Sequence, residues 1–293
     1  MLFCVVPMRR HQVSAECNSA TSSSSERRTD ISDWFHGLPL GCMAILIFGG
    51  TFLSAAAILL VVHSLAVGER ANAFKAVSPA LLSPLGIMFG LLVAFLATEA
   101  WRDQDRAHIE VNREASALRD VVILSESFPG KAAHLRGLIR QHIHEAQTAE
   151  WPAMASGRAT ITIVAAPLVQ AMQTTLALPV QGEGQAAAQR AIVASLENAL
   201  DARRQRILIS QSEVNPVKWT SLIVQAICML MAIAMVHVDN RTTAAIAIGV
   251  FSTAIAVCIL LITAHDRPFV GPNAVQPTVL LQMQPDAAAN TGR

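Results

Sequence analysis

Four long apolar stretches, at 40–67, 77–100, 217–238 and 242–265, leave this chain few folds to choose from. Each is long enough to cross a bilayer as a helix, which takes about 20 apolar residues. They fall in two pairs, one on either side of a charged block at 101–216. The pattern predicts an all-α membrane protein with four transmembrane helices in two hairpins, and a cytoplasmic helical bundle between spans 2 and 3. Composition agrees: 53% of the residues are hydrophobic, 15% are charged, and the mean hydropathy is +0.43. Soluble domains rarely reach such values. A net charge of +1 supplies no field to attract nucleic acid, and no nucleic-acid partner is expected. The expected surroundings are a lipid bilayer, plasma or bacterial inner membrane.

Basic residues collect on the cytoplasmic side near span ends. Arg9, Arg10, Arg27 and Arg28 precede the first span. Arg102, Arg106 and Arg113 follow the second, while Arg203, Arg204, Arg206 and Lys218 approach the third. The connections within the hairpins carry only Arg70 with Lys75, and Arg241. Both termini and the central block are therefore expected in the cytoplasm. Trp34, Trp101 and Trp219 would share one interface, where indole rings prefer to lie. The chain then divides into a disordered N-terminal tail at 1–39, a hairpin at 40–100, the helical region at 101–216, a second hairpin at 217–265 and a C-terminal tail at 266–293. Residues 1–8 lack the layout of a signal peptide, because the basic pair follows the apolar run. Ser, Thr and charge dominate 12–30, as in disordered segments.

No Gly or Pro interrupts 91–128, so the second span should continue as one helix, projecting on the order of 40 Å beyond Trp101. Ile109, Leu118, Val121, Val122 and Leu124 supply its apolar positions. Phe128-Pro129-Gly130 should break it. A helix at about 132–150 follows, then one at about 185–214 with Ile192, Leu196, Leu200, Ile207 and Leu208 as its stripe. Asn215-Pro216 is a good helix start for the third span. Uncharged 159–180 could be a fifth span, but Pro167, Gln170 and Gln173 favour a buried or amphipathic helix outside the membrane.

The five cysteines, Cys4, Cys17, Cys42, Cys228 and Cys258, form no CxxC and suggest neither a disulfide scaffold nor zinc. His134, His142, His144 and Glu145 crowd one helix, but His142 and His144 point apart, so no metal site is expected. No nucleophile elbow, P-loop or dinucleotide fingerprint appears, so neither an enzyme nor a cofactor is expected. The second span holds the candidate packing residues Gly86 and Gly90, four apart, a spacing that lets another helix approach. Glu99, one turn inside the cytoplasmic end, is a polar candidate that could instead pair with a basic residue at the interface. His63, His237 and His265 sit at span ends and can stay wet. Glu114 is the second polar candidate; Arg203, Arg204 and Arg206 could pair with it, or its face could be solvated.

Several of these residues carry a resemblance. Pro84-Leu85, Gly90 and a closing Trp101 resemble the second span of bestrophins, four-span anion channels with cytoplasmic termini. Arg106, Val111-Asn112-Arg113-Glu114-Ala115, Leu118, His144-Glu145, Glu150-Trp151 and Asp266-Arg267-Pro268-Phe269-Val270-Gly271 extend the match over about 44–279. With these the chain resembles the bestrophin-like family of integral membrane proteins more than bestrophins themselves. The resemblance implies a homo-oligomer with the second spans around an axis and a neck for small ions at Ser83, Ile87 and Leu91. Ile and Leu stand where animal bestrophins carry an aromatic pair, and an apolar neck could gate by dewetting. The calcium-clasping acidic cluster has no counterpart. Ile87 and Leu91 could equally be packing residues, and the protein a non-conducting structural or signalling protein whose cytoplasmic bundle binds a partner.

Overall fold

The computed structural model describes residues 37–66, 79–212, 214–271 and 273–283. The expected disorder at 12–30, Cys4 and Cys17, Trp34, and the Arg70–Lys75 connection lie outside them. Every regular element among the described residues is helical. Helix α1 is Leu40–Leu65; after a 3₁₀ turn at Pro79–Leu81, α2 runs over Leu82–Ser125. The body continues with α3 at Pro129–Glu145, a π turn at Ala146–Glu150 and α4 at Trp151–Ala155. It is completed by α5 at Ala166–Leu176 and α6 at Glu183–Ser210. Helices α7, Pro216–Val236, and α8, Arg241–Thr263, form the second hairpin; α9 at Thr278–Gln282 closes the described chain.

Among the described residues, four helices are long and apolar enough to span a membrane: α1, α2, α7 and α8. The uncharged 159–180 segment does not add a fifth. Only Ala166–Leu176 within it is helical, too short to cross, and its Leu168, Ala171 and Thr175 are buried in the body.

The chain breaks where local chemistry requires. Helix α2 is continuous for 44 residues because no Gly or Pro interrupts it after Gly90, which makes a rod of about 66 Å. Pro129 then opens α3, where a missing N–H costs nothing. Asn215 Oδ1 accepts the Val217 N–H at 2.9 Å and so starts α7. In the tight turn before α8, Asn240 Oδ1 accepts from the N–H groups of Thr242 and Thr243.

Two main cores result. In the spans, Phe89 and Leu96 of α2 pack with Leu222, Met229 and Ile233 of α7, alongside Val62 of α1 and Ile255 of α8. In the body, α2 and α6 lie against each other and α3 and α5 complete the packing. The α2 stripe differs from the expected one: Ala107, Val111, Leu118 and Val121 are buried, while Ile109 is 59% exposed. Leu208 of α6 likewise points outward, whereas Ile192, Leu196 and Ile207 are core. The segment 266–283, read from sequence as tail, packs into the body through Phe269, Val275 and Leu280.

Candidate functional site

Helix α2 presents two unlike faces. Phe89, Leu96, Ala97 and Ala100 are buried against the other spans. The opposite face carries Ser83, Ile87 and Leu91, four residues apart and therefore stacked along one side. All three are exposed, Ile87 at 61% and Leu91 at 52%, and Phe95 continues the row. Ile109 lies about five helical turns beyond Leu91, in the same direction, and exposed Ile123 extends the face to the end of the helix. The two glycines differ. A Cβ on Gly86 would come within 3.2 Å of Met229 Cε, so Gly86 serves contact with α7; one on Gly90 would meet nothing within 4 Å.

Below this face the spans join the body through polar contacts. Lys218 Nζ donates to both Glu99 oxygens, at 2.5 and 2.6 Å, linking α2 to α7. Trp101 meets His265 edge-on with ring centroids 6.5 Å apart. The Val214 N–H donates to Asp266 Oδ1 at 2.9 Å, and Gln104 Nε2 to the Asn273 carbonyl at 2.6 Å. Burial pushes the Asp103 carboxyl up; Glu99 and Asp266 add to the rise, against the lowering by Arg106 and Lys218.

The chemically densest place is inside the body. Glu114 of α2 is fully buried, as is Arg206 of α6. Arg206 donates through Nε to Glu114 Oε2 at 2.9 Å and through Nη2 to Oε1 at 3.1 Å. Nη2 also donates to Glu150 Oε2 at 2.8 Å. Arg203 gives Nε to Glu150 Oε1 at 2.6 Å and Nη2 to the Ile163 carbonyl at 3.0 Å. His142 Nε2 lies 2.9 Å from Glu114 Oε1. Burial alone would raise the Glu114 carboxyl, but the Arg206 charge and the hydrogen bond from His142 outweigh it and hold the group below its ordinary range. An ionised carboxylate only accepts, so His142 Nε2 is the donor. The two carboxylates balance the two guanidinium groups, which is how charge can sit in a core at all.

The network also fastens the last segment. Arg206 Cζ stands 4.2 Å over the Trp151 ring. Trp151 Nε1 donates to the Val275 carbonyl at 2.9 Å and meets Phe269 edge-on at 6.1 Å. Of the three arginines considered for Glu114, only Arg206 reaches it. Arg203 goes to Glu150, and exposed Arg204 pairs with Asp201 on its own helix. The solvated-face alternative is excluded for Glu114; its neighbour Arg113 does face out, toward Asn198. Sequence reasoning missed His142 as a partner and the convergence on Trp151. Among the described residues no three His, Cys, Asp or Glu side chains group as metal ligands. The network's charges are paired with one another, which makes it a clamp between α2, α3 and α6.

Comparison with known proteins gives one finding. The model of a family described as Bestrophin-like domain matches residues 49–280. No curated protein and no solved structure matches significantly. The match spans both the exposed α2 face and the buried network.

Proposed function

The chain belongs to the bestrophin-like family, and from that premise we propose that it assembles as a homo-oligomer whose second spans surround a pathway for small ions. Ser83, Ile87 and Leu91 narrow that pathway into an apolar neck that gates by dewetting. The body and both termini lie on the cytoplasmic side, where the Lys and Arg bias directs them. One observation carries the reading: α2 leaves a single face uncovered from Ser83 to Ile123. Ile87 and Leu91 form the apolar part of this face, and Ile109 and Ile123 stand on it as single exposed apolar side chains beyond the apolar stretch. Copies set around an axis with this face inward shield it from lipid and leave the pathway between them.

The test is ion flux from purified protein in liposomes, after its mass in detergent has established the oligomer. Flux is expected, and Ile87→Ala or Leu91→Ala should raise it by widening and wetting the neck. Verified oligomers that pass no ion under varied pH and salt would refute conduction.

A non-conducting signalling role is favoured by a different observation. Helix α2 joins span to body without a break, and its clamp partner α6 leads directly into span α7. Motion of the body is thereby tied to two spans. A stable partner captured through 101–216, by a protein that passes no ions, would favour this role.

A further inference from the structure

At the end of the span bundle remote from the body, α1, α7 and α8 leave a cavity of about 100 Å³. Leu59, Val62, Ala234 and Ala244 form apolar walls. Three polar groups line it from three different places: His63 in the last turn of α1, His237 at the C-terminal cap of α7 and Arg241 at the first position of α8. No carboxylate is among the described lining residues, and Asp239 of the adjoining turn is not one of them. A cation would meet the Arg241 guanidinium here, and the described residues offer no third metal ligand. Both facts select for an anion.

The ring chemistry agrees. His237 Nδ1 lies 3.0 Å from the Ile233 carbonyl and must donate to it. That leaves Nε2 for a ligand, and Nε2 can donate only once the ring has taken up a second proton. Arg241 adds a fixed charge at a helix start, where the helix dipole is positive. Apolar walls strengthen such charge-assisted hydrogen bonds. The volume holds several waters, so a tetrahedral oxyanion fits with part of its hydration shell.

We propose that this cavity binds a phosphate-type oxyanion, supplied either as the free ion or as the headgroup of an anionic lipid in that leaflet. His237, His63 and Arg241 are the groups facing the ligand. The site stands apart from the α2 face and does not depend on conduction.

Full-length protein in phosphatidylcholine nanodiscs is titrated with inorganic phosphate at one fixed pH, with chloride at matched ionic strength as the control, and thermal stability is read. In parallel, protein in nanodiscs containing phosphatidylglycerol is stripped with detergent and retained lipid is counted by native mass spectrometry. Arg241→Gln and His237→Gln are compared with Arg204→Gln, an exposed arginine of the body. Phosphate that stabilises the wild type more than chloride does, and binds about tenfold or more weakly to the two site variants, supports the site with the free ion as its source. Retained phosphatidylglycerol that is lost in those variants but kept in Arg204→Gln supports it with lipid as the source. If neither readout separates the site variants from Arg204→Gln, the proposal is overturned. Should a site variant fail to fold, the wild type decides alone: no stabilisation by phosphate beyond that by chloride, together with no retained phosphatidylglycerol, overturns it.

Discussion

Replacing Glu114 by Gln tests whether the buried clamp is what holds the body together. The change keeps shape and removes charge. It removes the ion pair with Arg206, turns one of the two acceptor oxygens now at 2.9 and 3.1 Å into an NH2 donor, and leaves His142 facing a neutral amide. Breaking a buried pair by removing one partner costs about 3–5 kcal/mol. Arg206 keeps Glu150 at 2.8 Å and the Trp151 ring, so the low end, about 3 kcal/mol, is expected. For a chain of this size that is roughly 6–12 °C in melting temperature. The control is Glu99→Gln, whose pair with Lys218 is 43% exposed on each side and worth about 0–1 kcal/mol. Both variants are purified in one detergent and unfolded thermally. The double variant Glu114→Leu with Arg206→Met removes both charges and should lose less than Glu114→Gln alone. The folded Glu114 carboxyl titrates below its ordinary value of 4.5. Its contribution is therefore complete above that value and is lost as pH falls through the folded pKa, so the wild-type advantage over Glu114→Gln should shrink in that acid window. A Glu114→Gln loss no larger than that of Glu99→Gln would refute the clamp.

Gly86→Val should cost about 1–3 kcal/mol by crowding Met229, whereas Gly90→Ala should leave the single chain's stability intact and weaken self-association if α2 faces meet; melting curves and detergent-solution mass check the pair. Asp103→Asn should stabilise slightly at neutral pH. The raised folded pKa means that ionisation favours the unfolded chain as pH rises, so the gain should vanish below the ordinary value of 3.8, read from melting temperature against pH. Trp151→Phe removes the hydrogen bond to Val275 and weakens the stack under Arg206, and should speed proteolysis within 266–283 relative to the spans, followed by mass spectrometry.

The spans were legible because length and apolarity suffice to define them, and the breaks at Pro129 and Asn215-Pro216 because proline and a capping side chain act locally. The clamp was not. Arg113-Glu114 looks like ordinary solvated charge, yet Glu114 lies seven residues from both Ala107 and Val121, in the middle of the buried stripe. Arg206 stands in the same relation to Ala199. That spacing was the available signal, and it was obscured by counting exposed Ile109 as core. The docking of Phe269 and Val275 had no local signature, because it depends on a surface formed by residues more than a hundred positions earlier.

The position of that last segment sets an order of assembly. Trp151 and the clamp find their cover in Phe269, Val275 and Leu280, which emerge from the ribosome only after both helices of the second hairpin. The body therefore waits unfinished while the last two spans are inserted, and closes when the chain returns to it. A chain whose second hairpin enters the bilayer wrongly cannot deliver its final strap, so completion of the body reports on correct insertion of the spans.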